Sequence, residues 1–69
     1  MPSTVIRDMH YDPPSRTLTI WFRPSGKRYD YFEIPAETYA GLKWSRSKGE
    51  FFNTHIRDRF PYREVEEQS

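Results

Sequence analysis

The chain contains no cysteine. That absence excludes disulfide staples, thiolate metal ligands and cysteine nucleophiles, and it fits a reducing compartment. Glycine is scarce, with three residues that never cluster, so no glycine-rich loop is available to cradle a phosphate. His10 and His55 are the only imidazoles. A structural zinc ion takes about four ligands, and no local spacing supplies them, so neither a metal nor another cofactor is expected. No apolar run approaches the roughly 18 residues that suggest a membrane span. The opening MPSTVIRDMHYD has no basic start leading into an apolar stretch, so a signal peptide is not expected. The expected location is the cytoplasm, with no membrane partner.

Aromatic rings are abundant, at 17% of 69 residues. A chain of this length forms one domain, 1–69, and buries only about 60% of the surface its unfolded form exposes. Large rings bring the most buried area per residue and so take the place of staples. The net charge is +1, but its distribution is uneven. Glu64, Glu66 and Glu67 crowd the C-terminal end, which reads as a frayed acidic tail from about residue 64. Between residues 43 and 63, Lys43, Arg46, Lys48, Arg57, Arg59 and Arg63 face only Glu50 and Asp58. Such a surplus is the footprint an anionic partner needs, and also the appearance of an ordinary solvated helix pair.

The pattern of residues predicts an α+β fold. Met9 and Tyr11 alternate as in a strand while Ile6 falls out of phase, so the first strand, from Ser3 to Tyr11, carries a bulge or starts late. Asp12-Pro13-Pro14-Ser15 forms a turn. In Thr17–Arg23, Leu18, Ile20 and Phe22 take one face, and Thr19, Trp21 and Arg23 the other. Pro24-Ser25-Gly26-Lys27 closes a hairpin in which Gly26 is free to adopt positive φ. A third strand is expected over Arg28–Ile34, with Tyr29 and Tyr31 on one face and Phe32 and Ile34 on the other, or with a bulge that shifts the phase between Tyr31 and Phe32. Pro35 suits the first turn of a helix whose buried stripe is Tyr39 and Leu42. Ser47-Lys48-Gly49-Glu50 fits a capping box that opens a second helix, with Phe52 and Ile56 inward. Gly49 is expected to serve close packing, and Pro61 ends the helical region. The expected architecture is a three-stranded antiparallel meander followed by two short helices packed on one face.

In that order the residues resemble the KTSC domain family, named for a segment at the C-terminus of some lysyl-tRNA synthetases and found also as small free-standing bacterial and phage proteins. The opening strand ends in Tyr11-Asp12. Tyr29-Asp30-Tyr31 resembles the family's central Tyr-x-Tyr, followed by Ile34-Pro35 where the family has Val-Pro. Tyr39 and Leu42 match Tyr-x-x-Leu, and Ser47-Lys48-Gly49 with Phe51-Phe52-Asn53 matches the Ser-x-Gly-x-Phe/Tyr-Phe-Asn box. Ile56-Arg57-Asp58-Arg59-Phe60-Pro61-Tyr62 is similar to the closing segment. The resemblance implies a small domain with no catalytic residues to carry over, and the synthetase attachment suggests RNA as a partner. The acidic tail after Arg63 departs from the pattern and works against binding a polyanion.

Two functional readings follow. In the first, the chain is a non-catalytic module for RNA or single-stranded nucleic acid. Its basic face is Lys43, Arg46, Lys48, Arg57, Arg59 and Arg63, with Lys27 and Arg28 in the hairpin, and Tyr29, Tyr31 and Trp21 stack bases. In the second, those rings pack under the helices, and the chain is a protein-interaction or self-association module that contacts a protein partner or forms a homo-oligomer. Enzyme activity is not expected of either.

Overall fold

The structure, a computed structural model, describes residues 5–66. The expected strand start at Ser3 and the tail at 67–69 lie outside the described residues. The elements are β1 (Val5–Asp12), β2 (Thr17–Arg23), β3 (Arg28–Tyr31), α1 (Ala36–Trp44), α2 (Lys48–His55) and β4 (Tyr62–Val65). The four strands form one antiparallel sheet in the order β1-β2-β3-β4. Among the described residues, no helix is long and apolar enough to cross a membrane.

The anomaly at Ile6 has a geometric answer. Register slips between Ile6 and Asp8, so that Ile6 pairs with Phe22, Met9 with Ile20 and Tyr11 with Leu18. The extra residue, Arg7, flips the phase of the strand, and all three apolar side chains then face the same way. Leu18 and Ile20 are fully buried beneath them on β2.

The third strand is shorter than expected. Glu33 adopts φ 60° and turns the chain after Tyr31. Ile34 is thereby carried back into the core, where its N–H donates to the Arg16 carbonyl at 2.9 Å. Tyr31 and Ile34 consequently both face inward, which strict alternation over Arg28–Ile34 forbids.

Pro35 is the N-cap of α1 rather than its first helical residue, with extended ψ of 149°. The Tyr39 ring stacks on Tyr11 at 4.7 Å, and the Tyr11 hydroxyl donates to the Ile34 carbonyl at 2.6 Å. Ser47 caps α2 as expected, its Oγ accepting from the Glu50 N–H at 3.3 Å. The other half of the box is filled differently, because the Ser47 N–H donates to Ser45 Oγ. Leu42, Phe52 and Ile56 descend from the helical layer onto Leu18, Ile20, Tyr31 and Ile34 to form the core.

The chain then returns to the sheet. Residues 62–65, read from sequence as the end of the domain and the start of a frayed tail, pair with β3 instead: Tyr62 opposite Tyr31, Glu64 opposite Tyr29. Without this fourth strand the outer edge of β3 would present unpaired N–H and C=O groups.

A close helix–helix approach falls at Gly41. A Cβ added at Gly41 would lie 2.7 Å from the Phe51 ring, so α1 and α2 meet across a bare backbone; Gly49 sits half-buried in the first turn of α2. Gly41→Ala is expected to destabilise the domain by about 1 kcal/mol. Overpacking costs about 1–3 kcal/mol, and the better helix propensity of alanine offsets about 1 kcal/mol of that. In a Phe51→Ala background the same change should instead stabilise by about 1 kcal/mol. Urea denaturation of the four proteins measures both, and an equal effect in the two backgrounds would refute the contact.

Candidate functional site

Strand register decides which candidate side chains can act together. Leu18 pairs with Tyr31 and Ile20 with Tyr29, so both tyrosines lie on the helix-covered face. Trp21 pairs with Arg28 and Thr19 with Asp30, and these four share the opposite face. The expected stacking surface of Tyr29, Tyr31 and Trp21 therefore does not exist as one surface. Successive residues of a strand point to opposite sides, and Trp21 falls on the wrong parity. On its own face, Trp21 lies 5.7 Å beneath the Arg28 guanidinium. Arg28 also pairs with Asp30 at 3.2 Å, and Thr19 Oγ1 donates to the same carboxylate at 2.9 Å. Buried Asp30 is satisfied by this network. Arg63, opposite Asp30 on β4, belongs to this face too.

The helix face has an opening at the β2–β3 hairpin end. There a groove of about 340 Å³ is lined by Phe22, Tyr29, Tyr31, Phe52 and Tyr62, with Arg23, Lys27, Arg57 and Asp58 also at its walls. The rings form a connected floor. Tyr31 meets Phe52 edge-on at 5.2 Å and stacks with Tyr62 at 5.3 Å, while Tyr29 meets Phe22 at 5.5 Å and Tyr62 at 5.9 Å. The two readings of these rings divide among them. Tyr31 is 5% exposed and serves the core, whereas Tyr62 is 54% exposed and offers a face to solvent. Tyr29 stands between, half-buried, with its hydroxyl 3.4 Å from Glu64.

Burial pushes the Tyr31 phenol up to about 12, and the neighbouring Tyr62 and Tyr29 phenols add to the rise; Asp58 raises it further, and Arg57 works the other way. The folded state thus holds this proton more tightly than the unfolded chain, whose phenol titrates at 10.0. The stabilisation is complete below that pH and is lost as pH rises through about 12. A decline of about 2 kcal/mol or less is expected across this window, at about 1.4 kcal/mol per pH unit with some solvent screening. Tyr31→Phe should flatten it, measured as denaturation midpoint against pH.

Cations border the groove unevenly. Lys27 reaches Glu64 at 3.8 Å across the β4 edge, so the acidic end of the chain partly neutralises one wall. Arg57 is exposed and bonds Asn53 Oδ1 at 3.4 Å, close to the limit of a hydrogen bond. Arg59 makes no ion pair with Asp58 or Glu33 among the described residues; it lines a second depression with Asn53, Thr54, Arg57 and Asp58. Arg46 lines a third, at the α1–α2 junction, beside Phe51, Thr54 and His55. Lys43 lies 5.6 Å from the Trp44 ring, and Lys48 is exposed in the first turn of α2. Of the residues expected from sequence, the structure joins Lys27, Tyr29, Tyr31 and Arg57 in one groove. It sends Trp21, Arg28 and Arg63 to the far face.

Sequence reasoning missed Phe22, Arg23, Asp58 and the exposed face of Tyr62 as parts of the groove. Asp58 carries the one available hint, since Ile-Arg-Asp-Arg-Phe-Pro needs a tight reversal and Asp tolerates its φ of 63°. Nothing local foretells that Tyr62 lands opposite Tyr31.

The fold occurs in known proteins. A solved KTSC domain protein from Yersinia pestis superposes with a TM-score of 0.85 at 33% identity, covering 96% of this chain and 92% of that one. Lysine–tRNA ligase from Nostoc punctiforme is 36% identical over 62 residues, which is 90% of this chain and 11% of the ligase. Lysine–tRNA ligase from Trichormus variabilis is 33% identical over 60 residues, 87% of this chain and 10% of the ligase. The chain thus spans about a tenth of the length of the curated ligases it matches. The KTSC domain pattern itself matches residues 2–60, and the chain belongs to the KTSC domain family.

Proposed function

We propose that this chain is a small non-catalytic module that binds single-stranded RNA in the groove at the β2–β3 hairpin end. The observation that carries the reading is the meeting of half-buried Tyr29 and exposed Tyr62 on the groove floor with Lys27 of the hairpin turn and Arg57 of the segment after α2. Bases stack on aromatic faces for about 1–3 kcal/mol each. Arginine meets phosphate through two parallel hydrogen bonds. The relatives named lysine–tRNA ligase supply the choice of RNA over DNA. RNA binding sets the module at work in the cytoplasm.

Fluorescence anisotropy of labelled single-stranded RNA and DNA, titrated at two salt concentrations, tests the reading. Micromolar affinity for RNA that falls with salt supports it, because each neutralised phosphate releases a counterion and contributes about −0.7 to the log–log slope on single strands. No binding at low salt would refute it.

A second reading is favoured by Trp44, which is 80% exposed at the end of α1. In it the chain docks a protein partner or a second copy of itself, and association ignores salt. Light scattering at high concentration separates the homo-oligomer version, which a clean monomer would exclude.

A further inference from the structure

The groove is not isolated. It shares Arg57 and Asp58 with the second depression, and the second shares Thr54 with the third. The three therefore follow one another along α2, from the β2–β3 hairpin to the α1–α2 junction. Ser45 lines the last of them, and the residue before it is Trp44, 80% exposed with the Lys43 ammonium 5.6 Å from its ring. At that exposure the Trp44 ring adds little to the core and leaves most of its face open to a stacking partner. Arg57 and Arg59 in the second depression and Arg46 in the third punctuate the path with positive charge. Glu50 and Asp58 are the acids that line it.

We infer that these depressions form one continuous track for single-stranded RNA, about four to five nucleotides long, which begins on the tyrosine floor and ends with a base stacked on Trp44. The inference rests on the RNA-binding reading and fixes its length and far terminus. The molecule measures 29 × 27 × 19 Å. A stacked strand advances about 3.4 Å per nucleotide, and an extended one about twice that, so one long dimension accommodates about four extended nucleotides. Small single-strand-binding folds cover about four nucleotides at their lower limit. Alternating rings and cations, rather than a hydrogen-bond code, give such a track little sequence preference.

The test uses a ladder of oligouridylates from one to eight residues, with tryptophan emission as a second readout. The sequence has two tryptophans, and Trp21 lies on the opposite sheet face, so Trp21→Phe leaves Trp44 as the sole tryptophan, excited selectively above the tyrosine absorption band. Affinity is expected to climb to about four or five nucleotides and then level. Trp44 emission should be quenched by the longer oligomers and not by the dinucleotide. Trp44→Ala should remove the gain between two and five nucleotides, about tenfold or more for one lost stack. Full affinity already at two nucleotides, with silent Trp44 emission, would overturn the track and leave the groove as a short RNA site. Failure of every oligomer to bind would overturn the RNA reading itself, and the track with it.

Discussion

Arg57→Glu combined with Arg59→Glu is expected to weaken RNA binding by about a hundredfold or more. A hydrogen bond to a charged group contributes about 1.5–3 kcal/mol, and two cations would be replaced by anions that repel the same phosphates. Both arginines are exposed, and neither belongs to the core. The denaturation midpoint should accordingly stay close to that of the parent, since surface substitutions shift stability by about 0.5 kcal/mol or less. The salt slope should flatten with the lost affinity. Arg63→Glu is the far-face control, to be compared with Arg57→Glu alone. It makes the same charge change as that single substitution on the far face of the sheet, opposite Asp30, and a small effect is expected. Unchanged binding in the double variant, or a loss from Arg63→Glu equal to that from Arg57→Glu alone, would place the interface elsewhere.

Ile56→Ala is expected to cost about 2–5 kcal/mol. Ile56 is fully buried at the C-cap of α2, where its N–H closes the last turn on the Phe52 carbonyl. It packs in the same cluster as Leu18, Ile20, Leu42 and Ile34, and truncation leaves a void that rigid strands and a capped helix collapse into only partly. A core in a domain this small rarely supplies more than about 3–5 kcal/mol in net stability, so the variant should be largely unfolded at room temperature. Ile56→Val should cost about 1 kcal/mol and retain the fold. Urea titration followed by circular dichroism reads both. A parent-like midpoint for Ile56→Ala would mean that the helical layer does not rest on this residue.

The two substitutions separate the jobs of one short segment. Within Ile56-Arg57-Asp58-Arg59, the first side chain points to the core and the others to solvent. The chain then turns at Asp58, with φ 63°, on its way back to the sheet. Aromatic and basic residues that look interchangeable along the chain therefore carry distinct duties.

The sequence by itself determined the elements whose causes are local. Alternation in TLTIWFR makes β2 and names Leu18 and Ile20 as core. The phase break between Ile6 and Met9 predicts a bulge or a late start, and the register places a bulge at Arg7. Ser47 announces α2 because the hydroxyl that caps a helix and the N–H it accepts from are three residues apart. Only the tertiary structure decided the rest. Whether Tyr29 shares a face with Trp21 depends on pairing between strands, and one step in register exchanges the faces. Pairing of residues 62–65 with β3 joins segments more than thirty positions apart, as in Tyr29 opposite Glu64, and no local preference encodes it. The groove combines a hairpin, a helix end and this returning strand. Its residue types are legible along the chain, whereas their meeting is a property of the closed sheet.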